Sequence, residues 1–136
     1  MDLEVGLENT LEMTVEQQHT AAAMGSGDLE VLATPALVAF LEKTCKDLAG
    51  PVIPAESTTV GTRIELDHLK ASAPGESIRC HCQVTGLAGQ LIQFQIRAES
   101  EGRLIAQGSH TRAIVDRGRF LAGINKPPKD ESSTVS

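Results

Sequence analysis

A hydroxyl and a carboxylate, those of Thr34 and Glu42, lie eight positions apart in a largely apolar stretch of the sequence. If that stretch is helical, Thr34, Val38 and Glu42 recur every fourth position and occupy neighbouring parts of one face, with about 12 Å from first to last. A carboxylate beside an apolar stripe is a candidate for acid–base or nucleophilic chemistry. The simpler alternatives are a helix cap for Thr34 and, for Glu42, an exposed ion pair with Lys46.

The segment that carries both residues has the pattern of a buried helix. Thr34 stands where an N-cap is expected, and Pro35 suits the first helical position because its missing N–H group would be unpaired there in any case. Apolar side chains recur at intervals of three and four, at Leu37, Leu41, Cys45 and Leu48. This pattern predicts a helix over residues 34–48 with a broad buried face, ended by Gly50 and Pro51.

Most of the remaining chain has the period of strands. Residues 3–17 alternate apolar and polar side chains, which predicts a long and bent first strand. Four further strands are predicted after the helix, separated by short glycine-containing turns, at 57–69, 76–86, 90–100 and 103–116. The polar, proline-interrupted end from Arg117 is expected to be loosely ordered, so we place a domain at 1–120 and a tail at 121–136. This order of elements predicts an α+β fold in which one antiparallel sheet wraps around a single central helix.

Composition and charge argue against two classes of function. The chain of 136 residues suits one domain, and its formal charge of −6 and 2% aromatic content provide neither the basic surface nor the stacking side chains of nucleic-acid-binding proteins. No apolar stretch approaches the length needed to span a bilayer, and the start of the chain is acidic rather than basic as in a signal peptide. We therefore expect a cytoplasmic protein that binds neither membranes nor nucleic acids.

The three cysteines, Cys45, Cys80 and Cys82, are an odd number, which favours reduced thiols over a disulfide framework. The order Cys80, His81, Cys82 resembles a set of metal ligands. In a strand, however, the two thiols point to one face and the imidazole to the other, so the three cannot converge. We therefore expect buried thiols and no metal site.

The candidate residues also carry a resemblance to a known family. The positions that match, in chain order, are Ala33-Thr34-Pro35, Glu42, Val60-Gly61-Thr62, His68 and Pro74-Gly75. In order and spacing, this combination resembles the fluoroacetyl-CoA thioesterase branch of the hotdog family. The resemblance runs from the first strand to Ile114, and its specific part lies in the helix and the strand that follows.

The resemblance implies the hotdog fold and a thioester hydrolase that cleaves a small or short-chain acyl-CoA to the free acid and coenzyme A. It also implies a catalytic set of Thr34, Glu42 and His68. Glu42 would act as general base or as a nucleophile that forms a mixed anhydride, while His68 would position water or hydrolyse that anhydride. Thr34 would align Glu42 or donate to the thioester carbonyl. The expected substrate contacts are Val38, Gly61, Thr62 and Leu69.

The resemblance implies no cofactor, and it implies a homodimer or larger homo-oligomer, because hotdog proteins usually pair through their sheets. The chain departs from the family pattern in two places. It has no aromatic residue in the loop before Thr34, and Leu69 and Lys70 follow the histidine. The acyl group is therefore left open.

Two other functions are open to a hotdog protein with these residues. One is non-catalytic binding of an acyl-CoA, and the other is hydration or dehydration of an enoyl thioester, for which His19 is the candidate. Asp28 is interpreted as a turn residue, and His81 and His110 as packing or surface residues. Single basic residues on strands usually belong to solvated faces; here they are Arg63, Lys70, Arg79 and Arg112.

Overall fold

Five strands and three helices make up residues 2–125, the part of the chain that the structure, a computed structural model, describes. In chain order they are β1 (Glu8–Thr14), α1 (Ala21–Met24), α2 (Thr34–Ala49), β2 (Ser57–His68), β3 (Ser77–Ala88), β4 (Leu91–Ser100), β5 (Arg103–Asp116) and α3 (Arg117–Ile124). Single 3-10 turns lie at Gln17–His19 and Gly50–Val52. The four strands predicted after the long helix are confirmed.

The strands form one antiparallel sheet in the order β1-β3-β4-β5-β2. The central strands alternate strictly, so that one of their faces is buried. The buried side chains of β3 and β4 are Ile78, Cys80, Cys82, Val84, Ile92, Phe94, Ile96 and Ala98. Helix α2 packs on this face, and the predicted α+β hotdog fold, with its sheet wrapped around one helix, is confirmed.

Helix α2 presents its predicted apolar stripe to the sheet. Leu37, Leu41 and Cys45 are fully buried. The helix begins one residue earlier than predicted. Ala33, not Thr34, occupies the N-cap position, and Thr34 is the first helical residue. The prediction that Thr34 caps the helix is therefore wrong, and its hydroxyl is free to contact another part of the chain.

The first strand is shorter than predicted. β1 begins only at Glu8, because the chain turns at Gly6, whose φ of 102° favours glycine. At the other end, the loose order expected from Arg117 is wrong for Arg117–Ile124, which is helical. Asp116 caps this helix by accepting a hydrogen bond of 3.0 Å from the Arg119 N–H group. The rest of the predicted tail, residues 126–136, lies outside the described residues.

The three thiols are free and buried, as predicted. The neighbouring Cys82 thiol and burial raise the pKa of Cys45, and burial raises the pKa of Cys80 to about 12. His81 lies on the opposite face of the sheet, where its Nε2 is 2.9 Å from Glu8 Oε1, so the predicted divergence of this segment is confirmed. Within residues 2–125, no three His, Cys, Asp or Glu side chains cluster as metal ligands would. No helix of this part of the chain is long and apolar enough to cross a membrane.

Gly108 on β5 marks the closest approach to β2, and its replacement should test this pairing. A Cβ at Gly108 would collide with the backbone of Glu65, so we expect Gly108→Ala to lower the free energy of unfolding by about 1–3 kcal/mol. Urea denaturation measures this change. The matched control is Gly123→Ala in α3, where a Cβ meets nothing within 4 Å and should be neutral or slightly stabilising. An equal loss of unfolding free energy in the two variants would contradict the close approach of Gly108 to the backbone of Glu65.

Candidate active site

The start of α2 and the end of β2 bring two of the predicted catalytic residues together. Thr34 Oγ1 and His68 Nδ1 are 2.8 Å apart, a hydrogen bond between residues 34 positions apart in the chain. The second ring nitrogen of His68, Nε2, is buried and has no hydrogen-bond partner among the residues that the structure describes. One edge of the imidazole is therefore held while the other can meet a ligand or a water molecule.

The environment of His68 favours its neutral form. Burial lowers the pKa of His68 from its usual 6.5, and a contact with the backbone of Lys70 opposes this shift only in part. A neutral imidazole keeps a lone pair on one nitrogen, so it can accept a proton at neutral pH. His68 is therefore suited to act as a base or to orient water.

A cavity of about 320 Å³ opens beside Thr34 and His68. Small and aliphatic residues form most of its wall, namely Ala21, Val31, Leu32, Ala33, Leu69 and Ala71. Lys70 is the cation of the lining. Leu69, one of the predicted substrate contacts, is 50% exposed at this position. The cavity can receive a small apolar group next to the hydroxyl and the imidazole.

Glu42 lies two helical turns beyond Thr34 and does not line this cavity. It lines a second depression of about 310 Å³ together with Gly61 and Arg112. A Cβ on Gly61 would lie 3.0 Å from Glu42 Oε2 and 3.4 Å from Arg112 Nη1, so only glycine leaves room for both groups against the strand. Within one chain, the structure joins Thr34 to His68 and places Glu42 apart from them.

The exposed ion pair that the spacing allows between Glu42 and Lys46 is not formed. Asp47 instead forms ion pairs with both lysines of this helix surface. Lys43 Nζ lies 3.0 Å and Lys46 Nζ 3.6 Å from its carboxylate oxygens. No ion pair within the described residues 2–125 involves Glu42. The carboxylate is half-buried and is available to the depression that it lines.

Arg112 is the functional candidate that the sequence analysis missed. Expected on a solvated face, it is only 7% exposed. Its Nε donates to Thr59 Oγ1 at 2.8 Å and its Nη2 to the Thr59 carbonyl at 3.0 Å, while Nη1 lies 3.1 Å from His110 Nε2. The available signal was the period of two along β5, which puts Arg112 on the same face as His110 and Ile114.

His110 holds Arg112 from the other side. Its Nδ1 is 2.7 Å from the Arg63 carbonyl, which can only accept, so Nδ1 carries the proton and Nε2 accepts from Arg112. Burial, helped by the charge of Arg112, lowers the pKa of His110, although the Arg63 backbone and Glu42 partly oppose the shift. The positive charge beside Glu42 therefore resides on Arg112.

Two other predicted substrate contacts, Val38 and Thr62, lie near the site without lining either depression. Val38 is half-buried on the helical turn between Thr34 and Glu42. Thr62 sits at the irregularity in the pairing of β2 with β5 and donates to the Thr111 carbonyl at 3.2 Å.

The alternative candidates on the segment before α2 are not part of the cavity. The ring of His19 packs edge-on against Phe40, with 4.9 Å between ring centroids. His19 Nδ1 also accepts a hydrogen bond of 3.0 Å from the Glu16 N–H group. Asp28 is exposed in the loop that follows α1. The positions of these two residues therefore favour structural roles.

The lowered pKa values of His68 and His110 predict how stability depends on pH. Both rings titrate at 6.5 in the unfolded chain and lower in the folded one. Between these values the unfolded chain binds more protons, so the free energy of unfolding should fall as the pH drops from 6.5 through the folded pKa values. NMR titration of the ring protons, with urea denaturation across the same range, measures both effects. Midpoints at or above 6.5 for both rings would contradict the burial described here.

Comparison with known proteins places this geometry in a family. Residues 15–118 match the family model described as FlK, fluoroacetyl-CoA-specific thioesterase. The chain is also 25% identical over 97 residues to the fluoroacetyl-CoA thioesterase of Streptantibioticus cattleyicolor, a match that covers 71% of this chain and 70% of that protein.

Solved structures share the same fold at low identity. A structure of the fluoroacetyl-CoA thioesterase FlK superposes with a TM-score of 0.86 at 22% identity, covering 93% of this chain and all of the other. A thioesterase superfamily member from Thermus thermophilus gives a TM-score of 0.84 at 23% identity, covering 91% of this chain and 93% of its own. Together with the match to the family model, these likenesses lead to one conclusion: this chain belongs to the fluoroacetyl-CoA-specific thioesterase family of hotdog-fold thioester hydrolases.

Proposed function

We propose that this chain hydrolyses an acyl-CoA with a small or short acyl group, using Thr34, His68 and Glu42. The observation that carries the proposal is the hydrogen bond of 2.8 Å between Thr34 Oγ1 and His68 Nδ1, beside a cavity with a small, aliphatic wall. One related thioesterase structure contains fluoroacetate and CoA, which are the product and the leaving group of such a reaction. The acyl group of the substrate occupies the cavity in this proposal.

Thioester hydrolysis requires attack on a carbonyl carbon, stabilisation of the oxyanion and departure of a thiolate, which needs little protonation. We place the proton of neutral His68 on Nδ1, from which it is donated to Thr34 Oγ1. The threonine hydroxyl can then donate its own proton to the thioester oxygen. His68 Nε2, which has no hydrogen-bond partner among the described residues, accepts from water in this proposal, and Glu42 supplies the carboxylate that activates water or attacks the carbonyl itself.

The separation of Glu42 from the other two residues supports a homodimer. β2 is the last strand of the sheet order, and residues 61–65 along it are exposed. An edge strand with free backbone groups readily pairs with another strand. Antiparallel pairing about a point between Ile64 and Glu65 would place Gly61 of one protomer, with its Glu42, opposite His68 of the other. Each complete site in this proposal combines Thr34 and His68 of one protomer with the partner's Glu42.

The cytoplasmic location belongs to the same proposal. Cys45 and Cys82 are neighbours in the core and are both free thiols. Two adjacent reduced thiols are what a reducing compartment maintains.

Free-thiol release from short, branched and aryl acyl-CoAs tests the activity. We expect Glu42→Gln and His68→Gln to lower kcat by about 10²- to 10⁴-fold, because each removes a group that acts on the reacting atoms. Thr34→Val should also lower kcat, whereas Thr34→Ser, which keeps the hydroxyl, should retain most of it. The control is His81→Gln on the outer face. Unchanged hydrolysis in Glu42→Gln would refute the mechanism, and binding without any hydrolysis would favour a ligand-binding protein.

The shared site predicts complementation between two inactive variants. A mixed dimer of Glu42→Gln and His68→Gln contains one site with both groups intact, so co-expression should restore about a quarter of the wild-type rate when chains pair at random. If both groups came from one chain, every site would carry a defect and no activity would return. Size-exclusion chromatography of each variant controls for loss of the dimer.

A further inference from the structure

A third concave feature lies beyond Glu42, between the end of α2 and the start of β2. This cleft, of about 420 Å³, is lined by Lys46, Ser57, Thr58, Thr59 and Arg117 and by small residues of the connecting loop. We refer to it as the Lys46 cleft. Lys46 also lines the depression that holds Glu42, so the two features adjoin at this side chain. The path from Glu42 to the end of the helix at Gly50 is about 12 Å long.

The lining of the Lys46 cleft is positively charged in an acidic chain. Among the described residues 2–125, the lining contains the cations Lys46 and Arg117 and no carboxylate, although the formal charge of the whole chain is −6. Three carboxylates neighbour this lining in the sequence. Asp47 Oδ1 lies 3.6 Å from Lys46 Nζ, Asp116 Oδ1 accepts the Arg119 N–H group at 3.0 Å, and Glu56 is exposed in the connecting loop. The cleft therefore offers two cations to an anionic ligand.

The side chains of the cleft suit phosphate. Lysine presents a compact charge on a flexible stem, and arginine can bind two phosphate oxygens at once. The contact of Lys46 with Asp47 is exposed, and such pairs are weak enough for the ammonium group to exchange one anion for another. Ser57 and Thr58 add hydroxyl groups that can donate, whereas the hydroxyl of Thr59 already accepts from Arg112.

We propose that the Lys46 cleft binds the phosphate groups at the nucleotide end of coenzyme A. The pantetheine arm would then run past Lys46 along α2 to the depression of Glu42, which places the thioester at the carboxylate end. This inference rests on the proposed thioesterase function and adds to it the surface that recognises the leaving group. The contact of Thr59 with Arg112 links the floor of the cleft to the polar groups around Glu42.

Two substrates that differ only in the nucleotide end test the inference. We compare an acyl-CoA with the same acyl thioester of pantetheine, which lacks all of the phosphates, in Lys46→Gln, Arg117→Gln and the double variant. The KM for the acyl-CoA should rise about two- to five-fold for each lost cation, with kcat unchanged, because exposed ionic contacts have that strength. The KM for the pantetheine thioester should not change.

Two further variants sharpen the comparison. Lys46→Arg keeps the charge and should restore the wild-type KM for the acyl-CoA. Arg79→Gln removes a cation from the outer face of β3, on another part of the surface, and should leave both substrates unaffected. Equal KM changes for the two substrates, or none for either, would overturn the assignment of the cleft.

The outcome for the cleft can be separated from that of the proposed function. If the wild type hydrolyses neither thioester, the proposed function fails, and calorimetric binding of free CoA and of pantetheine then tests the cleft alone. Weaker binding of CoA but not of pantetheine in the double variant would support the cleft. Unchanged binding of CoA would overturn it.

Discussion

Helix α2 packs its aliphatic side chains against the concave face of the sheet, and this contact fixes the positions of the other elements. The chain has three phenylalanines and no tryptophan or tyrosine, so its core is filled almost entirely by branched and small side chains. Burial of each large aliphatic side chain contributes about 1.5–3 kcal/mol, and many such contacts fix the rotation of α2 about its axis. Leu37 and Leu41 pack against the sheet. The adjoining side of the helix, which carries Thr34 and Glu42, therefore lies against β2. Both parts of the candidate site follow from that rotation.

The second constraint is the buried cation. Removing a guanidinium from water is unfavourable unless its donors are satisfied, and here Thr59 and His110 take donors on three nitrogens of Arg112. Each nitrogen has one partner but the charge is not cancelled, so it acts on the carboxylate of Glu42 across Gly61. Because no direct ion pair with Arg112 forms within residues 2–125, the carboxylate of Glu42 stays available to the depression that it lines.

The open edge of β2 connects the site with assembly. Strand β2 contacts helix α2 at two points. Gly61 approaches Glu42, and His68 contacts Thr34 at the start of the helix. A strand rises about 3.3 Å per residue, so the two contacts are separated by roughly 23 Å along β2. Thr34 and Glu42 are themselves about 12 Å apart along α2, and in the proposed dimer antiparallel pairing across this edge would bring Glu42 of one protomer towards His68 of the other. In the proposed dimer, the same pairing that satisfies the edge completes the site.

Local patterns in the sequence were enough to predict most of the elements. The spacing of Leu37, Leu41, Cys45 and Leu48 was sufficient for the central helix, and the period of two was sufficient for the four later strands, because both patterns reflect local geometry. The sequence did not reveal α3, whose short Arg-Gly-Arg start reads as a polar tail until Asp116 caps it. The residues of the resemblance also fell on the helix and strand where the structure places the site.

The contacts of these residues depend on how distant segments of the chain pack together. Thr34 was interpreted as a cap, but its hydroxyl contacts His68, and a contact across 34 positions leaves no trace in local spacing. Arg112 was interpreted as solvated, because alternation along a strand identifies two faces without saying that α2 and Thr59 cover one of them. The separation of Glu42 from Thr34 follows from the rise of a helix and was readable in the sequence. The elements that lie opposite each end of that helix are set by the packing of distant segments. Local sequence does not encode this packing.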